Sequence, residues 1–138
     1  MTKRVGVATV TVMLALLGQI AAPAQVRADE LPAPLKHAKA EGIGTVLTGP
    51  SNMTLYIFNR DTAPGKSECN GACAENWPPF KPVANAPAPR APLSVINRDD
   101  GSKQYAWKGK PLYFWHEDAK PGDVTGHRRF GTWFAAQP

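Results

Sequence analysis

Leu55-Tyr56-Ile57-Phe58-Asn59-Arg60-Asp61 and Leu112-Tyr113-Phe114-Trp115-His116-Glu117-Asp118 are the two stretches that decide the fold of this chain. They lie 57 residues apart and share one pattern, Leu-Tyr-x-aromatic-x-x-Asp. Pro64-Gly65 and Pro121-Gly122 keep the same register, and each copy then runs through a loop to a tryptophan, Trp77 or Trp133. In an extended strand Tyr56 and Phe58 point to one face and Leu55 and Ile57 to the other. The same alternation holds for Leu112 to Trp115. Apolar residues on both faces describe a strand covered on both sides. Two similar β units can bury on each other the faces that neither buries alone, so a pseudo-two-fold pair is expected. Burying each aromatic side chain is worth about 1.5–3 kcal/mol, a large share of the stability of so small a domain. A buried Tyr hydroxyl needs a partner, and the motif Asp of the same or the other repeat is at hand. Tyr56, Phe58, Asp61, Trp77, Tyr113, Trp115 and Asp118 are therefore the candidate motif residues, with a structural or a ligand-contacting role.

Outward from these strands the chain reads as short β segments joined by turns. Thr45–Thr48 and Met53–Phe58 flank Gly49-Pro50-Ser51-Asn52, a four-residue hairpin loop. Residues 66–80 carry no strand pattern; a short helical turn is expected near residues 72–76, stopped by Pro78-Pro79. Residues 81–92 alternate Pro and Ala, an extended connector. Leu93–Arg98 and Gln104–Lys108 flank Asp99-Asp100-Gly101-Ser102, a strong hairpin signal. Lys108-Gly109-Lys110 turns the chain into Leu112–Trp115, a three-stranded meander, and Arg129–Ala135 is a last strand. From Ile43 onward no segment has a long helical period. The expected fold is mainly β: a small antiparallel β sandwich or barrel-like domain over residues 43–138, built from two pseudo-symmetric repeats (about 44–80 and 93–135). The polar, Pro-punctuated residues 29–42 read as a flexible or loosely docked N-terminal arm.

The opening residues read as an export signal. Lys3 and Arg4 precede an uncharged stretch, Val5–Gly18, and Val26-Arg27-Ala28 fits the small-residue rule for cleavage before Asp29, with Ala22-Pro23-Ala24 a second site that fits it. The apolar run is shorter than the roughly 20 residues of a membrane span. Residues 1–28 are thus a signal peptide, and the mature chain has no span. Of 16 basic residues, removing Lys3, Arg4 and Arg27 leaves 13 against 11 acidic ones, a net +2 rather than the precursor's +5. Without a clustered basic face, nucleic acid is excluded as a partner. A single domain of this size is expected to be a monomer in the periplasm or the medium.

Cys69 and Cys73 are the sharpest chemical feature. Export places them where disulfides persist, and a disulfide here closes a five-residue loop worth about 2 kcal/mol. The alternatives are a redox-active pair or a thiolate copper site with a histidine, His116 or His127. None of the histidines stands at a ligand spacing from the cysteines. Asp99-Asp100 reads as a turn, and no nucleophile elbow, phosphate loop or zinc motif appears, so no catalytic residue and no cofactor is assigned.

The chain resembles a bacterial family described as a secreted repeat of unknown function, or predicted lipoproteins, with a Tyr-x-(Phe/Trp/Tyr)-x-x-Asp motif. Both copies fit. Cys69-Asn70-Gly71-Ala72-Cys73, Trp77-Pro78-Pro79, Arg98-Asp99-Asp100-Gly101, Gly109-Lys110-Pro111-Leu112-Tyr113 and Pro121-Gly122-Asp123 fit as well. Two departures stand out. The leader has no lipid-acceptor cysteine, and Gly126-His127-Arg128-Arg129-Phe130 is bulkier and more basic than the Gly-rich stretch of the family. The resemblance implies localisation and architecture but no activity. The expected function is a non-catalytic binding or interaction module for an envelope protein or a small ligand; the alternative is a periplasmic copper or redox protein using Cys69 and Cys73.

Overall fold

In a computed structural model, residues 30–138 are described continuously, together with Met1, Thr2, Gly6 and Ala21. Apart from those four residues, the expected signal peptide therefore lies outside the described residues. The elements are β1 (Lys36–Ala40), β2 (Gly44–Thr48), β3 (Tyr56–Phe58), α1 (Ala72–Asn76), β4 (Leu93–Asn97), β5 (Lys103–Trp107), β6 (Lys110–Pro111) and β7 (Trp133–Ala135). The fold is mainly β, with small antiparallel sheets and one short helix.

Each repeat opens with a hairpin. β1 pairs with β2, placing His37 opposite Leu47, and β4 pairs with β5, placing Val95 opposite Tyr105. The turn between β4 and β5 closes through Gly101 N–H to the Arg98 carbonyl, with Gly101 at φ 81°, a conformation glycine adopts without a Cβ penalty. Three expectations change here. Residues 36–40 form a strand, so they are not a loose arm. Lys36 and Lys39 are exposed and only Ala40 is buried, so this strand has no apolar alternation of its own and owes its form to β2. Beyond the turn at Lys108-Gly109, the sheet partner of β5 is Lys110–Pro111 rather than Leu112–Trp115. The last segment is also shorter than expected: Arg129–Gly131 is a tight turn with Phe130 in a left-handed conformation, and the strand begins at Trp133.

The two repeats exchange their tails. β7, from the second repeat, pairs with β3 of the first, and Pro79, from the first, bridges Tyr113 of the second. Two closed rings of backbone hydrogen bonds fix the exchange. In one, Leu47 N–H donates to Ala136, Ala136 N–H to Leu55 and Leu55 N–H to Leu47, at 2.8–2.9 Å. In the other, Tyr105 donates to Phe80, Phe80 to Leu112 and Leu112 to Tyr105, again at 2.8–2.9 Å. Between the rings Tyr56 and Tyr113 exchange N–H···O bonds of 2.8 and 3.0 Å across the pseudo-two-fold.

The strand alternation sorts the core into two clusters. Leu47, Leu55, Leu112 and Phe80 pack together with Leu35, Leu93, Tyr105 and Trp107, flanked by Ile57 and Phe114. Tyr56, Tyr113, Trp77, Trp115 and Trp133 form the second cluster with Cys69 and Val46, flanked by Phe58. Both motif segments are thus covered on both faces, as their apolar pattern requires.

Candidate functional site

The motif residues converge on the pseudo-two-fold, and each tyrosine is paired with the aspartate of the other repeat. Tyr56 Oη donates to Asp118 Oδ2 at 2.6 Å, and Tyr113 Oη donates to Asp61 Oδ2 at 2.6 Å. The second oxygen of each carboxylate turns back on its own repeat. Asp61 Oδ1 accepts the Glu68 N–H at 2.7 Å. Asp118 Oδ1 accepts the Thr125 N–H at 3.0 Å and the Thr125 hydroxyl at 2.6 Å. Each Asp therefore organises the loop seven residues downstream and ties it to the opposite strand. The electrostatics follow from this enclosure. Burial, reinforced by Asp118, pushes the Tyr56 hydroxyl far above its usual range. Burial and Asp61 do the same for Tyr113. Burial also raises the Asp61 carboxyl, against the pull of the Glu68 N–H and Tyr113 bonds.

Four aromatic rings run in a column beside these pairs. Phe58 stacks on Trp133 (4.2 Å between centroids) and Trp133 on Trp77 (3.8 Å), and Trp115 leans against Trp77 at 33° (4.1 Å). The order is palindromic: motif aromatics at the ends, tail tryptophans in the middle. Tyr56 sets its edge against Trp77 and Tyr113 against Trp133. Such pairs contribute about 0.5–1.5 kcal/mol each beyond their buried area. Gly126 lies beneath this column, and a Cβ there would stand 2.9 Å from the Trp77 ring and 3.0 Å from Tyr56. Glycine is needed for that close approach, which allows the Gly126 N–H to reach Tyr56 Oη at 3.3 Å.

Sequence reasoning missed Arg98 and Ser67. Arg98 is a buried cation. Its Nη1 donates to Ser67 Oγ (2.9 Å) and Gln104 Oε1 (2.7 Å), and its Nη2 to the Cys69 carbonyl (2.6 Å). Because the Tyr113 proton is directed at Asp61, the 2.7 Å contact between Ser67 Oγ and Tyr113 Oη has Ser67 as donor. A polar chain thus runs from Arg98 through Ser67 and Tyr113 to Asp61. At the matching places in the first hairpin stand Ala40 and Val46, so only the second hairpin carries a buried cation. The signal available was Arg98 at a strand end before a turn, where an arginine is usually solvated.

The cysteines are joined in a disulfide with Cα atoms 5.2 Å apart. Neither sulfur is a thiolate, which removes them as copper ligands in this form. His116 and His127 are not brought to them as a ligand set. Among the described residues no group of three His, Cys, Asp or Glu side chains is placed to hold a metal. His116 is exposed beside Trp115 and Glu117. His127 is half-buried, its Nδ1 accepting the Ala135 N–H at 3.1 Å. Desolvation, followed by the charge of Arg128, lowers its pKa. A groove of about 550 Å³ beside α1 is lined by Asn70, Glu75, Lys81, Arg98 and Asp99. A smaller one, about 250 Å³, is lined by Met53, Thr54, Phe114, Trp115 and Asp118. The buried ionic groups facing these grooves, Arg98 and Asp118, are already engaged by the internal partners above.

A two-repeat β scaffold locked by crossed Tyr–Asp pairs defines the class. The chain belongs to the family described as a secreted repeat of unknown function, whose model matches it twice, over residues 38–81 and 94–137. The first match begins within β1, so the repeat includes the strand that the polar sequence had concealed. No curated protein and no solved structure matches the chain.

Proposed function

We propose that this chain is an exported, monomeric, non-catalytic interaction module, freed by cleavage before Asp29 into the periplasm or medium, where it binds an envelope protein or a small ligand through its surface. The observation that carries this reading is the state of the motif carboxylates. Both are buried, and every oxygen of Asp61 and Asp118 accepts a bond from within the domain. A general acid or base must reach a substrate proton, and these groups are committed to joining the repeats. The disulfide supports the same reading, since it removes the nucleophilic thiolates and suits an oxidising compartment. Thiol titration of the processed chain tests the proposal. No reactive thiol is expected in the folded or the denatured state until a reductant is added. A free-thiol pair that takes up one equivalent of Cu(I) would overturn it in favour of a metal or redox role.

A further inference from the structure

Phe130 is 77% exposed, at the tip of the turn that leads into β7. Its backbone is left-handed (φ 51°), as are those of Arg128 (φ 63°) and Gly131 (φ 66°). Left-handed geometry is costly for a bulky residue and persists where the surroundings impose it, often at functional positions. Here the surroundings are explicit. The Arg129, Gly131 and Thr132 N–H groups bond back to Gly126, Arg128 and Arg129. From the other side Asn59 donates its backbone N–H to Thr132 and its side chain to Gly131. Arg129 pins the turn to the end of the aromatic column: its guanidinium lies 4.9 Å from the Trp115 ring centre and 3.1 Å from Glu117. The fold therefore holds a large apolar ring mostly out in water, with the Arg129 guanidinium 5.7 Å from its centre.

The charges around it are one-sided. Glu117 is matched by Arg129. Arg128, two residues before Phe130, and Arg60, next to the Asn59 that holds the turn, are exposed and make no ion pair among the described residues. We propose that this turn docks the protein on an anionic phospholipid surface, with the Phe130 ring at headgroup depth and Arg128 and Arg60 on lipid phosphates. The inference rests on the reading of the chain as an exported interaction module and goes beyond it to a lipid partner. A single ring with flanking cations matches what a bilayer interface takes, an aromatic at the headgroup level and basic side chains in the negative surface potential. A stable protein interface needs on the order of 1,000 Å² with an apolar centre, and the other exposed large hydrophobics among the described residues, Met1 and Val83, are not part of this turn.

The test is co-sedimentation of the processed chain with vesicles, at low salt, of phosphatidylcholine alone or of equal parts phosphatidylcholine and phosphatidylglycerol. Two unpaired arginines predict binding to the anionic vesicles at least about tenfold tighter than to the neutral ones. Phe130→Ala should weaken anionic binding about fivefold or more. R60Q together with R128Q should erase the preference for anionic lipid. Unfolding midpoints of these surface variants report that each remains folded. The proposal is overturned by a wild-type chain that binds neither vesicle, or by a Phe130→Ala chain that binds as wild type does. A wild-type chain that ignores vesicles, while Phe130→Ala releases a co-purifying envelope protein, also overturns lipid docking and leaves the interaction-module reading intact. Copper-binding free thiols would sink that reading whatever the vesicles show.

Discussion

Each motif tyrosine donates its hydrogen bond to an aspartate 62 or 52 residues away rather than to the one five residues downstream. That crossing is measurable. Removing a hydrogen bond to an ionised partner costs about 1.5–3 kcal/mol, and double-mutant cycles isolate the pair. Cycles of Tyr56→Phe with Asp118→Asn, and of Tyr113→Phe with Asp61→Asn, should show coupling of about 1–2 kcal/mol. The cycle of Tyr56→Phe with Asp61→Asn should be additive within about 0.5 kcal/mol. Urea denaturation reads all three. His127 supplies a pH signature at the same scale. Its pKa is lowered in the folded state by burial and by Arg128, so the unfolded chain takes up the proton more readily. Its stabilising contribution is complete above the unfolded value, about 6.5, and is lost as pH falls through the lowered folded value. The urea midpoint of the wild type should drop as pH falls below about 6.5, and His127→Gln should remove that part of the drop. Asp61 works in the opposite sense: its raised pKa means that the folded chain holds a proton the unfolded chain releases, so its ionisation costs stability as pH rises through the raised value. The motif residues were legible because strand alternation marks Tyr56 and Tyr113 as buried and hydroxyls in a core need acceptors. Arg98 was not, since nothing local distinguishes a strand-end arginine that turns inward from one that stays in water.

Turn chemistry and covalent geometry decide the elements that the chain announces most clearly. The helix at Ala72–Asn76 ends at Pro78-Pro79, and the β4–β5 hairpin turns on Asp99-Asp100-Gly101, both local signals. β1 was hidden for the opposite reason. Its residues Lys36, His37 and Lys39 are exposed, and its strand form comes from antiparallel pairing with β2. Leu112–Trp115 misled in a different way. Its apolar run is that of a fully covered strand, but its backbone bonds go to Tyr105, Tyr56 and Pro78 rather than along one neighbour. At this scale the disulfide is the element most open to test. It links the loop before α1 to the helix itself, with Cys69 buried in the aromatic cluster. Replacing both cysteines with alanine should lower the unfolding free energy by about 2 kcal/mol, the value for a five-residue loop. The exposed turn at Phe130 lies on the other repeat, so lipid binding should survive the change. A chemical denaturation curve and the vesicle assay together check both halves of that expectation.

Exchange of tails between repeats makes the domain indivisible in a way that a list of its elements does not show. The 57-residue spacing of the motifs revealed two copies, but spacing carries no information on which copy completes which sheet; that depends on contacts distant in sequence. In the folded chain Phe80 closes the hydrogen-bond ring of the second repeat and Ala136 closes that of the first. The central stack likewise alternates between repeats, with Trp133 between Phe58 and Trp77. Either half alone therefore loses a strand partner, a Tyr–Asp acceptor and two members of the aromatic column. The connector over residues 81–92 makes few demands by comparison, since Pro82, Ala84 and Pro87 sit along an open groove rather than in the core. Cutting the chain within it should leave both halves unfolded when each is expressed alone, with flat near-ultraviolet circular dichroism. Mixed or co-expressed, the halves should assemble into one folded heterodimer with the aromatic dichroism of the intact chain. A first half that folded independently would show that the crossed pairs are dispensable, and the two-fold exchange would then be an ornament of the structure rather than its organising interaction.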